Sequence, residues 1–184
     1  MFLTEGFETF TTRRLAERVG LSQTGLNVYF KTKDEILDAI CQRTYEATLR
    51  RYRRIEAEYA ADLDRFRAMP RYSIEAGLAA PEEYQIIYMT RRKLLHGAEE
   101  LANPTEQQSR GVRIVVWQRD LVARLIASGA FRPMDLVVAV QIVLAAPHGL
   151  VSRLIAWPDF PWADREILAD ALIETFTTGL MARS

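Results

Sequence analysis

The stretch LAERVGLSQTGLNVYF, residues 15–30, has the pattern of two short helices joined by a tight turn. Leu15 and Val19 are four residues apart and form one apolar stripe. Gly20 can adopt the left-handed conformation that a sharp helix end requires, and Ser22 is a good N-cap for the next helix. The sequence therefore predicts that one helix ends at the glycine and that a second begins after the serine.

The second helix has one apolar and one polar side. Leu26 and Phe30 are again four apart and must face inward, so Gln23 and Asn27 share the opposite side with Thr24 beside them. A polar outer face on the second of two short helices is typical of a helix-turn-helix, in which that face enters the major groove of DNA. A helical hairpin whose polar face only meets water fits the same pattern. The pattern alone leaves both interpretations open.

A longer segment, GFETFTTRRLAERVGLSQTGLNVYFKTKDEILDAI (residues 6–40), resembles the DNA-binding domain of the tetracycline-repressor (TetR) family. The matching features are Gly6-Phe7, the Thr11-Thr12 helix start, LAERVGLS, the Tyr29-Phe30 pair, and Lys33 at the start of the next helix. The resemblance implies an all-α fold with two domains. Residues 1–50 would form the helix-turn-helix domain, and residues 51–184 a helical ligand-binding and dimerisation domain.

The resemblance also implies which residues contact DNA: Thr11, Thr12, Arg13, Gln23, Thr24, Asn27, Tyr29 and Lys33. Arg13 matches a base-reading position, where a guanidinium can bond a guanine edge, and Gln23 leads the recognition helix. Tyr29 and Lys33 match phosphate contacts, which fix register without reading sequence. Asn27 stands where the family often has tyrosine, and its amide can contact a base instead of a phosphate.

The start of the chain departs from the family. Relatives have a full helix before the glycine, whereas here only five residues precede Gly6. We expect that the start is misplaced or that the helix was removed, and that Leu15, Leu26 and Phe30 are more exposed than in relatives. An alternative function follows: a TetR-like ligand-binding or protein-binding module that lost DNA binding with its first helix.

Composition is that of an ordinary globular protein, with 24 Lys and Arg against 24 Asp and Glu. Residues 1–54 hold ten basic against seven acidic residues, which weakly favours a nucleic-acid partner at this end. A single cysteine, Cys41, and no signal-peptide pattern at the N-terminus indicate a cytoplasmic protein. The apolar run MDLVVAVQIVLAAPHGLV is interrupted by polar residues and a proline, so we expect it not to span a membrane.

Apolar spacing predicts helices near 12–19, 23–30, 33–52, 55–69, 73–79, 82–101, 106–128, 135–156 and 164–181. Thr32 and Glu35 have the spacing of a capping box. Pro70 is predicted to end a helix. A break is expected near residues 50–54, because a single helix from residue 32 to residue 69 would be unusually long.

The segment after residue 55 shows no catalytic or metal-binding constellation. His96 and His148 lack a glutamate three residues earlier, and the chain has neither a CxxC pair nor a G-x-S-x-G elbow. We therefore expect no enzyme activity, metal or cofactor. Cys41 lies on the apolar stripe of Leu37 and Ile40, which indicates a buried thiol.

By resemblance, the middle helices should enclose a small-molecule pocket. The candidate ligand-binding residues are Tyr88, Arg92, Trp117, Gln141 and His148. For each of them the alternative is an ordinary core or surface role. The apolar segment 135–156, with 164–181, is the expected dimer interface, since a second copy would cover it and set two recognition helices at DNA-turn spacing. The preferred function is a ligand-responsive repressor that binds a palindromic operator as a homodimer. The residues leave open whether the effector releases or promotes DNA binding; release is what the resemblance implies.

Overall fold

The fold is all-helical, as predicted, in a computed structural model that describes residues 11–89 and 110–182. The helices are α1 Thr12–Arg18, α2 Gln23–Tyr29, α3 Lys33–Glu58, α4 Asp62–Ala79, α5 Pro81–Tyr84, α6 Arg110–Ala127, α7 Leu136–Ala156 and α8 Arg165–Leu180, with a π-helical segment Gln85–Met89 directly after α5. Within the described ranges, extended pairing is limited to an isolated bridge between Phe131 and Met181.

The first two helices have the predicted turn chemistry. The Thr11 hydroxyl accepts a hydrogen bond from the Arg14 N–H at 3.3 Å and caps α1. Gly20 has a φ of +72°, the left-handed conformation that favours glycine. Ser22 caps α2 by accepting from the Gly25 N–H at 3.0 Å. The helix-turn-helix geometry predicted for residues 15–30 is confirmed.

Helix α3 contradicts the break expected near residues 50–54. It runs for 26 residues, about 39 Å at 1.5 Å per residue. Its buried stripe continues without interruption through Tyr45, Thr48, Tyr52 and Ile55, so packing keeps the basic segment helical. The start of the helix resembles the predicted capping box. The Thr32 hydroxyl accepts a hydrogen bond from the Glu35 N–H at 3.2 Å, and the Glu35 carboxylate accepts one from the Lys31 N–H at 2.7 Å, where a capping box would use the Thr32 N–H.

The helix in fact breaks at residues 59–61, and the side chain of Arg65 holds the turn at this break. The Arg65 guanidinium donates to the carbonyl oxygens of Tyr59 at 2.9 Å and Glu56 at 3.1 Å, and to the Asp62 carboxylate at 2.8 Å. These bonds satisfy backbone carbonyls that the end of α3 leaves without a helical partner. The turn between α3 and α4 is therefore fixed by one side chain.

The predicted end of a helix at Pro70 is wrong. Pro70 lies inside α4 and is buried beside Met69. A proline inside a helix costs roughly 3 kcal/mol. Here α4 packs against α3, α6, α7 and α8, so its tertiary contacts offset that cost. Pro147 lies inside α7 in the same way.

The core of the body forms around α4. Phe66 is fully buried and makes edge contacts with Phe131 at 4.8 Å and Phe176 at 5.7 Å between ring centroids. The Arg132 N–H donates to the Leu180 carbonyl at 2.9 Å and ties the end of α8 to the loop after α6. One connected cluster of buried residues extends from α3 to the end of α8.

A smaller cluster attaches the helix-turn-helix to the start of α3. Ala16, Leu26 and Ile36 are buried in it, and Leu15 and Phe30 pack against it half-buried. Leu26 is only 5% exposed. The expected remnant of an earlier helix at residues 1–5 lies outside the described residues, as does most of the predicted helix 82–101. The predicted division at residue 50 falls inside α3 and stays a prediction.

Candidate DNA-binding surface and ligand-binding core

Helix α2 presents a polar face outward from a buried anchor. Leu26 packs inward, while Gln23, Thr24 and Asn27 are exposed. The alternation follows from helical geometry, since Gln23 and Asn27 are four residues apart on the side opposite Leu26. The face is free to enter a groove of DNA.

Arg13 on α1 and Tyr29 at the end of α2 are also exposed. The Arg13 guanidinium pairs with Glu17 at 3.2 Å, and 75% of its side chain is exposed. An exposed ion pair of this kind contributes little, so a base edge can replace the carboxylate at low cost. Tyr29 is 73% exposed. Both side chains are therefore available to a partner.

The remaining candidates lie at the starts of helices α1 and α3. Thr11 is exposed and Thr12 is half-buried at the beginning of α1, and Lys33 is half-buried at the beginning of α3. Val28, which sequence reasoning did not select, is 78% exposed beside Asn27. An exposed aliphatic side chain can contact the methyl group of thymine. The sequence signal that could have identified Val28 is its position next to Asn27 in the recognition helix.

The middle of the body contains a network of buried polar aromatics. The Trp117 indole N–H donates to the Glu56 carboxylate at 2.8 Å, and its ring lies 4.7 Å from that of Tyr52. The Gln118 amide N–H donates to the Tyr52 hydroxyl at 2.8 Å. Burial raises the pKa of Tyr52 to about 12, so its phenol stays protonated. The Gln118 carbonyl oxygen has no hydrogen-bond partner among the described residues.

A second polar contact joins α5 to α7. The Tyr84 hydroxyl lies 2.7 Å from Nδ1 of His148, and the two rings stack at 5.7 Å. Burial lowers the pKa of His148 and raises that of Tyr84. Both shifts favour the neutral forms, in which the phenol donates and Nδ1 accepts. Tyr88 packs beside Tyr84 with 4.8 Å between centroids.

Helix α5 also forms hydrogen bonds with α3. The Glu83 carboxylate accepts from the Arg43 guanidinium at 2.9 Å and from the Thr44 hydroxyl at 2.7 Å. Burial works to raise the pKa of Glu83, but these two hydrogen bonds and the charge of Arg43 together outweigh it and hold the pKa below its usual value. Helix α5 therefore bonds to α3 through one residue and to α7 through the next.

The candidate ligand residues do not form one set. Tyr88 and His148 both contact Tyr84, which sequence reasoning missed, while Trp117 lies against Tyr52. Gln141 is exposed, and Arg92 lies outside the described residues. An open groove of about 290 Å³ between α4 and α8 contains none of them; it is lined by Arg71, Ile74, Glu75, Leu78, Ala79, Arg165, Glu166 and Ala169. The described residues contain no cluster of potential metal ligands.

Helix α7 combines a buried and an exposed apolar side. Its exposed hydrophobic residues include Val137 at 63% and Val138 at 48%. In the described part of the chain it is the one helix whose length and composition would suffice to cross a membrane. A single such helix is weak evidence for a membrane span, because the core helix of a soluble protein passes the same test. The expected interruptions do not break it: Asp135 caps it by accepting from the Val138 N–H at 3.0 Å, and Pro147 is accommodated.

Residues 1–40 match the family model of bacterial regulatory proteins of the tetR family. The family model covers the N-terminal end of the chain, about a fifth of its length. No curated protein matches the chain in sequence. The resemblance of residues 6–40 to the DNA-binding domain of that family is confirmed.

Solved structures share the fold of this chain over nearly its full length. The ketosteroid transcriptional regulator KstR2 of Mycobacterium tuberculosis has a TM-score of 0.68 at 20% identity, covering 100% of this chain and 90% of its own. The fatty acid degradation regulator FadR from Bacillus halodurans has a TM-score of 0.72 at 15% identity, covering 99% and 91%. AibR in complex with isovaleryl coenzyme A and operator DNA has a TM-score of 0.64 at 19% identity, covering 98% and 91%.

Proposed function

We propose that this chain is a regulator of the tetR family, a ligand-responsive repressor that binds a near-palindromic operator as a homodimer. The observation that carries the proposal is the exposed face of Gln23, Thr24 and Asn27 above the buried Leu26. Side chains with paired donors and acceptors at the start of a recognition helix are suited to reading base edges in the major groove. Two copies related by a two-fold axis would read the two half-sites of a palindrome.

The proposed contacts fall into two groups. Arg13, Gln23, Thr24 and Asn27 read bases, because they combine exposure with hydrogen-bonding ends. The phosphate contacts are Thr11, Thr12, Tyr29 and Lys33. Phosphate contacts hold the recognition helix in register and supply the salt-dependent part of the affinity.

The proposed effector site lies around the aromatic side chains in the middle of the body. Tyr88 and His148 contribute through their shared contact with Tyr84, and Trp117 contributes beside Tyr52. Ligand pockets of this kind have aromatic walls with a few polar ends. The solved relatives are named for ketosteroids, fatty acid degradation and isovaleryl coenzyme A, so acyl and steroid compounds are the first effectors to test.

The regulator is proposed to act in the cytoplasm, without enzymatic turnover, and to release its operator on effector binding. Residues 1–50 would act as the DNA-binding unit and residues 51–184 as the effector-binding and dimerisation unit. Helix α5 supports such a link, since Glu83 bonds to α3 while Tyr84 bonds to His148. An effector that displaces the tyrosine would therefore act on the helix that carries the DNA-binding end.

The test is fluorescence anisotropy of the full chain against DNA tiled across its own upstream region, at low and moderate salt. We expect saturable binding to one palindromic tile, lost in an Arg13→Ala/Gln23→Ala double variant. Arg132→Ala, an exposed arginine on the loop after α6, is the matched control and should bind normally. Stable dimers that bind no tile would favour the alternative, a ligand-binding or protein-binding module without DNA affinity.

A further inference from the structure

A chain of hydrogen bonds crosses the middle of the body from α6 to α4. The Gln118 amide N–H donates to the Tyr52 hydroxyl at 2.8 Å, and Tyr52 is also hydrogen-bonded to Ser73. The Ser73 hydroxyl in turn donates to the Met69 carbonyl at 3.1 Å. Helices α6, α3 and α4 therefore share one polar connection inside the hydrophobic core.

The last acceptor of this chain fixes its direction. A backbone carbonyl can only accept, so Ser73 uses its single hydroxyl proton toward Met69. The Ser73 oxygen then accepts from the Tyr52 hydroxyl, and the Tyr52 oxygen accepts from Gln118. The contact with Tyr52 therefore comes from the amide nitrogen of Gln118, which leaves the amide oxygen on the other side of the group.

This amide oxygen is a buried acceptor without a hydrogen-bond partner in the described part of the chain. Gln118 is only 7% exposed, so bulk water does not reach the atom. A buried acceptor that stays unpaired destabilises a protein, because it has lost its bonds to water and gained none in return. Such an atom requires a reason other than stability, and a bound molecule that donates a hydrogen bond to it supplies one.

The side chains around Tyr52 offer an aromatic surface to such a molecule. The ring of Trp117 lies 4.7 Å and that of Tyr72 6.4 Å from the ring of Tyr52, between centroids. Tyr88 interacts electrostatically with both Tyr52 and Tyr84, and it therefore links the two aromatic groups of the body. Aromatic walls with a few polar atoms are typical of small-molecule sites.

We propose that Gln118 binds the effector, and that the effector carries an uncharged hydrogen-bond donor, a hydroxyl or an amide N–H, on an apolar skeleton. The inference rests on the effector site of the proposed function and names the chemistry that this site selects. The amide oxygen of Gln118 accepts the bond. Tyr52 is a positioning residue, because its contact with the amide nitrogen keeps the oxygen turned toward the ligand.

A charge of either sign on the ligand is disfavoured. An anion would bring a second acceptor against the Gln118 oxygen. It would also lie near Glu56, whose carboxylate accepts from the Trp117 indole N–H at 2.8 Å beside Tyr52. An ammonium group would lose far more hydration than one neutral acceptor replaces. A neutral O–H or N–H donor meets neither cost.

Four benzyl compounds test this selection on the full chain, with dissociation constants from ligand-observed NMR titrations. Benzyl alcohol has the neutral donor, benzyl methyl ether lacks it, and benzylamine and benzoate are charged. We expect the alcohol to bind roughly 3- to 10-fold more tightly than the ether, as one neutral hydrogen bond provides, and more tightly than either ion. Equal binding of alcohol and ether would mean that a buried water satisfies the oxygen, and would overturn the proposal. Tighter binding of either ion would overturn it too, as would a failure of all four compounds to bind at millimolar concentration.

Gln118→Met assigns the preference to one atom. Methionine fills a similar volume without an amide, and Tyr52 keeps its bond to Ser73, so the variant should fold. Alcohol and ether should then bind equally. The matched control is Gln42→Met on α3, which removes an amide that accepts from Arg110 at 3.0 Å and should keep the preference of the parent chain. A preference for the alcohol that survives in Gln118→Met would overturn the assignment.

Tyr52→Phe tests the positioning role. Without the phenol, the Gln118 amide can turn and present its N–H groups, so the preference for the alcohol should fall while the ether, an acceptor, gains affinity. A purely structural role of Tyr52 would instead weaken all four compounds alike. The compounds bind without DNA, so two failures are distinguishable. A chain that prefers the alcohol but binds no operator tile would overturn the proposed repressor alone, and a chain that binds its operator tile without this preference would overturn the present inference alone.

Discussion

At the scale of single residues, the contact between Tyr84 and His148 makes stability depend on pH. Burial lowers the pKa of His148 from its ordinary 6.5, so the unfolded chain binds this proton before the folded chain does. The associated stability is complete above pH 6.5 and is lost as the pH falls toward the lower pKa of the folded state. We expect the melting temperature to fall between pH 7.5 and pH 5.5.

The His148→Gln variant isolates this effect. Glutamine can still accept the Tyr84 hydrogen bond but does not titrate, so its melting temperature should depend less on pH in the same window. His96, the other histidine of the chain, is present in both proteins and cancels in the comparison. Identical pH profiles for the two proteins would contradict the expectation, and a ring titration followed by NMR would give the pKa of His148 directly.

Residue-scale prediction succeeded where the signal is local. The caps at Thr11 and Ser22 and the buried Leu26 follow from residues within four positions of one another. The Tyr84 contact spans 64 positions, and no pattern near either residue encodes it. The base-contact and phosphate-contact roles stay predictions until DNA binding is measured.

At the scale of elements, Gly77 shows how α4, α5 and α7 depend on close packing. A methyl group at this position would lie 2.8 Å from ring carbon Cδ2 of Tyr84 and 2.8 Å from Cγ1 of Val151. Alanine is favoured over glycine in a helix by about 1 kcal/mol, but overpacking costs about 1–3 kcal/mol. Gly77→Ala should therefore lower the free energy of unfolding, measured by urea titration.

Ala76 provides the matched control for this position. It is exposed, one residue away in the same helix. Ala76→Gly should cost about 1 kcal/mol through helix propensity alone. If Gly77→Ala instead stabilises the chain by a similar amount, Tyr84 and Val151 move aside without cost. The close contact among the three helices would then contribute nothing to the free energy of unfolding.

Helices were predicted correctly where the apolar spacing continues over many residues. Helix ends were predicted wrongly where the prediction rested on helix length or on a single proline. The length of an unbroken helix from residue 32 to residue 69 suggested a break near Arg51, yet Tyr52 and Ile55 continue the buried stripe of α3 and the break lies at residues 59–61. Pro70 suggested a helix end, yet burial against neighbouring helices outweighs its lost hydrogen bond. In both cases the deciding contacts are tertiary, so propensity along the chain could not supply them.

At the scale of the whole molecule, the salt dependence of DNA binding should show how many protomers bind the operator, because it depends on the number of phosphates contacted. The logarithm of the binding constant falls with the logarithm of salt concentration by about 0.9 for each phosphate neutralised on B-DNA. Lys33 is proposed to contact one phosphate per protomer. Lys33→Ala should therefore reduce the slope by about 2 if a dimer is bound and by about 1 if a single protomer is bound.

Gln23→Ala is the counterpart, because its proposed contact is to a base and not to a phosphate. It should leave the salt slope unchanged while reducing the preference for the operator over a scrambled tile, with a loss of roughly 1–3 kcal/mol for each contact. Anisotropy titrations at several salt concentrations measure both quantities on the same proteins. If Gln23→Ala changes the salt slope as much as Lys33→Ala does, Gln23 contacts a phosphate and not a base. The contacts that read the sequence would then lie elsewhere on the domain.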